Sequence, residues 1–191
     1  LKRERKEPLV LEASIGDLLD HAMLEAPECY VVLNYLQNSL MELKISDNYG
    51  PGFECLDKND EENPLNMGFI SGNHDKDDKE STYGYGTKRA LMKLVLKAII
   101  YTKTIYNNKM QFIKVLIDFP VIMSKPANES YNTEKIIITE EEYRSYHPYP
   151  MGSTVILSDF VDKLKNIHPE HFKYIVREHY PTRLNKINLF I

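Results

Sequence analysis

Near the N-terminus, hydrophobic and polar residues alternate with a helical period. Within residues 13–26, apolar side chains recur at the spacing of one helix face, at Ile15, Leu18, Leu19, Ala22 and Met23. Ser14 is a candidate N-cap, and Pro27 ends the pattern. The spacing predicts an amphipathic helix over 13–26, preceded by a charged arm over residues 1–12.

Two strand patterns come after this helix. Residues 30–36 and 40–47 are rich in strand-forming residues, and a short turn over 37–39 joins them. In the second strand, apolar and polar positions alternate. The alternation predicts a solvent-facing side made of Leu40, Glu42, Lys44 and Ser46.

The middle of the chain is a long polar stretch. Residues 54–82 have almost no periodic apolar pattern, and loops of this length within a compact domain are usually functional lids or disordered segments. The pattern then predicts a basic amphipathic helix over 87–100, with one apolar face formed by Leu91, Leu94, Val95 and Ala98.

The remainder of the chain is rich in strand patterns. Strands are predicted over 99–105, 112–122, 135–142, 153–160 and 186–191. Helices are predicted over 162–167 and 169–180. Together these elements predict an α+β fold: a two-layer sandwich in which a mostly antiparallel sheet carries helices on one face.

Composition narrows the class of protein. The 191 residues, 42% of them hydrophobic and 27% charged, indicate one globular domain. The net charge of −4 provides no overall basic field for nucleic acid. The chain has two cysteines, and it has neither an apolar run of about 18 residues nor a signal-peptide pattern. These features predict an intracellular protein, cytoplasmic or nuclear, with no membrane partner. The first residue, Leu1, suggests a piece of a longer protein.

Four separate segments carry residue types suited to binding a nucleotide. They are the first helix, the end of the second strand, the start of the basic helix, and a glycine with two hydroxyls leading into the strand over 153–160. Their candidate residues are, in chain order, Asp17, Asp20 and His21; Asp47, Asn48, Gly50 and Gly52; Gly84, Tyr85, Gly86, Thr87 and Lys88; and Ser153 and Thr154.

Each segment has a physical reason to serve such a site. Glycines at a helix start let backbone N–H groups approach a phosphate, and the helix dipole favours the anion. Lys88 adds a positive charge for the terminal phosphate. A buried carboxylate at a strand end can accept a hydrogen bond from an exocyclic amine such as that of adenine. An acid on the facing helix can orient a water, and a ligand one turn later can hold Mg²⁺.

In this order, the four segments resemble the motifs of the GHKL, or Bergerat-fold, ATPases, and most of all those of the microrchidia (MORC) and MutL branch. The resemblance covers about residues 13–160. The family's E-L-I-D-N-A box appears as DLLDHA (17–22), and its D-x-G-x-G box as DNYGPG (47–52). Its lid box appears as STYGYGTK (81–88), and its G-T box as GSTV (152–155).

The resemblance implies an ATP-binding domain over 13–160 with a lid at about 54–86, which residues 161–191 complete or extend. The implied cofactors are ATP and Mg²⁺. The implied nucleotide cycle consists of lid closure, homodimerisation and slow hydrolysis of ATP. A DNA or protein partner would act through a further domain. The resemblance implies that Asp17 is the general base and that His21 is a metal ligand. It implies that Asp47 or Asn48, beside Gly50 and Gly52, contacts the adenine, with Ser153 and Thr154 nearby. The residues implied to contact the phosphates are Gly84, Tyr85, Gly86, Thr87 and Lys88.

Departures from the family pattern leave alternatives open. Asp17 is shorter than the usual Glu, and His21 replaces an oxygen ligand that Mg²⁺ prefers. The D-x-G-x-G box also carries one extra residue. The chain could therefore be an interaction module without turnover. A DNA-binding domain that uses the basic helix is a third interpretation.

Three histidines near the C-terminus could suggest a zinc site, and no cysteine accompanies them. We assign them to a solvated surface rather than to zinc: His168, His171 and His179.

Overall fold

A computed structural model describes residues 10–23, 26–54, 56–57, 63, 65, 91–125, 133–161, 165–181 and 184–191. The helices are α1 (Val10–Met23), α2 (Phe119–Met123), α3 (Glu140–Tyr146) and α4 (Pro169–His179), and a 3-10 turn covers Leu184–Lys186. The strands are β1 (Cys29–Leu36), β2 (Ser39–Asp47), β3 (Val95–Tyr106), β4 (Lys109–Asp118), β5 (Glu134–Ile138), β6 (Ser153–Phe160) and β7 (Ile187–Phe190).

Within the described residues, seven strands form one sheet in the order β5-β4-β3-β6-β2-β1-β7. The β1–β2 and β3–β4 pairs are antiparallel, and β6 lies between them, antiparallel to both β2 and β3. β7 pairs with β1 in parallel. The predicted α+β fold with a mostly antiparallel sheet is confirmed.

The main hydrophobic core lies on one face of this sheet. Alternate strand residues such as Leu43 and Ile100 pack there with Leu19 of α1 and Phe172 of α4. Among the described residues after position 160, α4 packs on this core and β7 pairs with β1 of this sheet.

A smaller cluster lies on the opposite face of the sheet. It consists of Tyr101, Ile156 and Tyr143 of α3. Tyr101 and Ile156 alternate along their strands with core residues, so their side chains project to the other side. The prediction of helices on one face therefore holds for α1 and α4 and is wrong for α3.

The β1–β2 hairpin departs from the predicted alternation at its turn end. Gln37 and Asn38 form the turn with positive φ angles of 49° and 65°, as two-residue hairpins favour. The pairing skips Met41, so this residue is 52% exposed while Leu40 is 3% exposed. The prediction that Leu40 faces solvent is wrong, because the bulge shifts the alternation by one residue.

Ser46, at the other end of β2, was also predicted to face solvent. Its side chain is fully buried because α3 and the residues after it cover that part of the sheet. The exposed side of β2 is therefore limited to its middle, at Glu42 and Lys44, which are half-buried.

The first helix begins earlier than predicted. α1 starts at Val10, so Ser14 is an interior helix residue, 1% exposed, and does not cap the N-terminus. The apolar face is as predicted, since Ile15, Leu18 and Leu19 are all buried.

The basic helix predicted over 87–100 is shorter in its described part. Residues 91–94 are helical, and β3 begins at Val95. Lys97 therefore lies on a strand, with its Nζ 3.9 Å from Asp159 Oδ2 across the sheet, and is not part of the predicted helix. Tertiary pairing with β4 and β6 outweighs the helical periodicity here.

Two predicted strands end early because a helix is capped within each. Asp118 accepts a hydrogen bond from the Val121 N–H and starts α2, where residues 119–122 were predicted to continue a strand. Thr139 accepts from the Glu142 N–H and starts α3 in place of strand residues 140–142. The Thr-x-x-Glu pattern is a capping box that the strand-like composition concealed.

The start of the segment predicted as a lid is packed into the protein. Phe53, Leu56 and Leu65 are buried in the core. Asn63 donates to the Leu56 carbonyl at 2.6 Å and accepts from the Leu65 N–H at 3.0 Å. Residues 66–90, which include the predicted phosphate-binding glycines, lie outside the described residues.

Candidate functional site

The end of β2 meets the start of β6 at a close backbone contact. Ser46 is paired in register with Thr154, so Asp47 lies beside the turn that precedes β6. Gly152 has a φ of 111°, and a Cβ at this position would overlap the carbonyl oxygen of Asp47. Only glycine fits here, and this contact brings two of the four sequence motifs together.

The carboxyl group of Asp47 is the electrostatic centre of this junction. Burial raises its pKa to about 7, although the backbone N–H groups of Tyr49 and Ser153 donate to it and oppose that rise. The Tyr49 N–H lies 3.1 Å from Asp47 Oδ1. A half-buried carboxylate that accepts from the Tyr49 N–H still has lone pairs free for a ligand donor.

A pair of hydroxyl groups adjoins Asp47. Thr102 Oγ1 of β3 lies 2.8 Å from Ser153 Oγ and accepts a hydrogen bond from the Phe53 N–H at 3.0 Å. Gly52 has a φ of 82°, and any side chain there would overlap Thr102 Oγ1. The turn after β2 is thus held against β3 and β6 by these hydroxyls.

These polar groups share a face of the sheet with α1. Asp47 alternates along β2 with the buried Ile45, and Ser153 alternates along β6 with Val155 of the main core. Since α1 packs against β2 on that face, the polar cluster lies at the end of the layer between the sheet and the helix. We call Asp47, Gly52, Thr102 and Ser153 the junction cluster.

Asn48 does not belong to the junction cluster. Its Oδ1 accepts from the Glu28 N–H at 3.0 Å, and its own N–H donates to the Glu28 carbonyl at 3.3 Å. Of the two candidates for adenine contact, Asp47 is the one beside Ser153. Gly50 lies against the flexible Met151 side chain.

Thr154 faces away from the junction cluster. Its hydroxyl lies 2.7 Å from Ser46 Oγ and 2.8 Å from His147 Nδ1, on the side of the sheet that carries α3. The two predicted hydroxyls, Ser153 and Thr154, therefore have different surroundings, and only Ser153 contacts Asp47.

The candidate residues on α1 lie apart from this hydrogen-bonded cluster. Asp17 is on the exposed side of the helix. Asp20 Oδ1 lies 2.7 Å from the Tyr180 hydroxyl, which is also 2.9 Å from the Gly16 carbonyl. The His21 side chain and residues Gly84, Tyr85, Gly86, Thr87 and Lys88 lie outside the described part of the chain.

Sequence reasoning missed Thr102, Tyr143, His147 and Tyr180. Thr102 contacts the first residue of β6, and Tyr143 and His147 contact the turn before it. Tyr180 contacts α1 from the end of α4. A usable signal existed only for Tyr143 and His147, which are four residues apart, with His147 directly before the proline-rich segment PYPMG (148–152). The other two contacts cross the fold between distant parts of the sequence.

Other candidate sites are less developed. His168 caps α4 by accepting from the Glu170 N–H, and His171 stacks on Tyr174. Among the described residues, no group of three His, Cys, Asp or Glu side chains is placed to hold a metal, and no helix has the length and apolar character needed to cross a membrane. A cavity of about 650 Å³, lined in part by Tyr35 and His168, lies at the opposite end of β1 from Asp47.

In comparisons with known proteins, no family model matches the chain, and no curated protein matches it either.

Proposed function

We propose that this chain is a GHKL-type adenine-nucleotide-binding domain with its adenine subsite at the junction cluster. The observation that carries the proposal is the half-buried carboxyl group of Asp47, packed against the Gly152 backbone where two of the sequence motifs meet. A half-buried acceptor beside small hydroxyl groups suits an exocyclic amine, which donates hydrogen bonds.

The proposed contact gives selectivity for adenine. The amine of adenine donates to the Asp47 carboxylate, and the Ser153–Thr102 hydroxyl pair serves a neighbouring ring nitrogen directly or through water. A base with a carbonyl oxygen at that position, as in inosine, places an acceptor against a carboxylate and leaves both unpaired. Sites built around a buried acceptor discriminate strongly against such analogues.

The resemblance extends the proposal to the rest of the cycle. Gly84, Tyr85, Gly86, Thr87 and Lys88 would bind the phosphates, and Asp17 would orient water for slow hydrolysis linked to lid closure and homodimerisation. An imidazole such as that of His21 is a poor ligand for Mg²⁺, and the described carboxylates form no three-residue group for it. We therefore derive no step through a metal.

The experiment is nucleotide binding by isothermal calorimetry and thermal unfolding, with ATP, ADP and inosine triphosphate. A nucleotide at 100 times its dissociation constant should stabilise the fold by about 2.7 kcal/mol. Asp47→Asn should lose this stabilisation, because its amide nitrogen would face a backbone N–H donor and the negative charge is gone. Asn48→Ala, which removes the neighbouring contact to Glu28, should retain it.

Two results would contradict the proposal. Absence of any nucleotide-induced stabilisation would favour an interaction module instead. Binding to DNA that weakens steeply with salt and is independent of ATP would favour the nucleic-acid alternative.

A further inference from the structure

The turn before β6 is held by side chains at three successive carbonyl groups. Lys103 Nζ donates to the Pro150 carbonyl at 3.3 Å, His147 Nε2 lies 2.9 Å from the Met151 carbonyl, and the Tyr143 hydroxyl donates to the Gly152 carbonyl at 3.1 Å. Tyr143 and His147 are 0% and 2% exposed. Such a density of side-chain donors on one short turn fixes its backbone.

The hydrogen bonds of His147 fix its tautomer. A carbonyl oxygen only accepts, so Nε2 carries the proton and Nδ1 accepts from the Thr154 hydroxyl. Thr154 Oγ1 then accepts from Ser46 on the adjacent strand. Burial lowers the pKa of His147 to about 4, which keeps the ring neutral as this arrangement requires.

On the α1 side of the sheet, the same turn leads into Ser153 of the junction cluster. Asp47 Oδ1 lies 3.0 Å from the position that a Cβ of Gly152 would take, and the next residue is Ser153, whose hydroxyl pairs with Thr102. Tyr143 and His147 lie on the other side of the sheet, and none of their side-chain hydrogen bonds to the described residues reaches a junction-cluster side chain. A shift of the Gly152 backbone would therefore move the surface on which the Asp47 carboxyl group packs.

We propose that Tyr143 and His147 are positioning residues that set adenine selectivity from the opposite face of the sheet, by holding the Met151–Gly152 backbone on which the Asp47 carboxyl group packs. This inference rests on the proposed function. It assigns to α3, which packs on the far side of the sheet, a role in choosing the base rather than in binding the phosphates.

The sharpest variant is Tyr143→Phe. It removes the hydroxyl that reaches Gly152 and keeps the ring, whose centroid lies 5.0 Å from that of Phe112. Tyr35→Phe is the matched control, because it also removes one hydroxyl that donates to a backbone carbonyl, that of Ile167 at 2.9 Å. Tyr35 lies at the opposite end of β1 from Asp47.

The measurement is the ratio of the dissociation constants for inosine triphosphate and ATP. Tyr143→Phe should lower this ratio by about three- to tenfold, the range expected for one lost hydrogen bond. Tyr35→Phe should lower the unfolding temperature by a similar amount and leave the ratio unchanged. Because both nucleotides carry the same phosphates, the ratio reports the base alone.

A graded series at position 147 separates positioning from folding. His147→Leu loses both polar contacts and should lower the ratio at least as much as Tyr143→Phe. His147→Gln retains a donor for the Met151 carbonyl and should restore part of the selectivity. A merely structural role predicts the same ratio for every variant that remains folded.

A second readout does not depend on nucleotide. A nearby Ser153 N–H lowers the pKa of Asp47, and displacing this N–H from the carboxyl group removes that effect. Carbon-13 titration should therefore give a higher pKa for Asp47 in Tyr143→Phe than in the unaltered chain. Tyr35→Phe should leave it unchanged.

The outcomes separate this inference from the proposed function. Failure of the unaltered chain to bind ATP overturns the proposed function and the selectivity role with it. An unaltered chain that prefers ATP, together with a folded Tyr143→Phe variant that has the same preference and the same Asp47 pKa, overturns only the role of α3.

Discussion

Asp47 shows how a single residue acquires its properties from the fold. An exposed aspartate is ionised at neutral pH, whereas burial at the end of β2 raises the pKa of this one to about 7. Its position in the sequence, at a strand end before two glycines, was enough to single it out. The surroundings that change its pKa come from β3 and β6, which no local pattern could reveal.

This pKa gives the proposed adenine contact a pH dependence. The exocyclic amine requires the ionised carboxylate, so the preference for ATP over inosine triphosphate should rise with pH through about 7. By linkage, the preference should fall about tenfold from pH 8 to pH 6. Calorimetric titration with both nucleotides at each pH measures it, and phosphate ionisation cancels in the comparison. A preference that stays constant across this interval would contradict the assignment of Asp47.

The two glycines near this carboxyl group differ in what they tolerate. Gly152→Ala should destabilise the fold by about 1–3 kcal/mol or more, because φ is 111° and the new methyl group would meet the Asp47 backbone. Gly50→Ala should cost less, since the new atom meets the flexible end of Met151. Urea unfolding of both variants checks the order, and equal losses would show that the backbone contact is unimportant.

At the scale of elements, periodicity found most strands and the apolar face of α1. It failed where an element changes type without a break in composition. The change from helix to β3 at Val95 has no glycine or proline to mark it. α2 and α3 begin with capping residues, Asp118 and Thr139, inside segments that read as strands. A search for caps would have found both helices.

The link between α1 and α4 was also invisible in the sequence. The Tyr180 hydroxyl at the end of α4 reaches the Gly16 carbonyl and Asp20 on α1, close to the proposed general base Asp17. Contacts between residues so distant in the chain leave no local pattern. These hydrogen bonds nevertheless tie the first helix to the end of α4.

Tyr180→Phe tests this link. The variant should lose about 1 kcal/mol of stability, as expected for one hydrogen bond. If α1 presents Asp17 to the attacking water, kcat for ATP hydrolysis should fall while the dissociation constant for ATP stays the same. Tyr35→Phe is the control for a lost tyrosine hydroxyl elsewhere. A parallel change in ATP affinity would show that the contact supports the whole site rather than α1.

At the scale of the whole molecule, the sheet order explains why distant motifs meet. β6 lies between the β1–β2 and β3–β4 hairpins, so the turn at Gly152 is placed beside the end of β2 and against Thr102 of β3. The sequence predicted the fold class, and it singled out the two motifs that meet here, at residues 47–52 and 152–155. It could not predict the face of the sheet that each hydroxyl occupies, because strand register is set by pairing across the sheet.

The most direct test of the adenine subsite is an experimental structure of the chain with bound ADP. We expect the exocyclic nitrogen of adenine to lie within about 2.7–3.2 Å of an Asp47 carboxylate oxygen, with Ser153 beside the ring. Adenine bound elsewhere, for example in the cavity that Tyr35 and His168 line at the other end of β1, would contradict it.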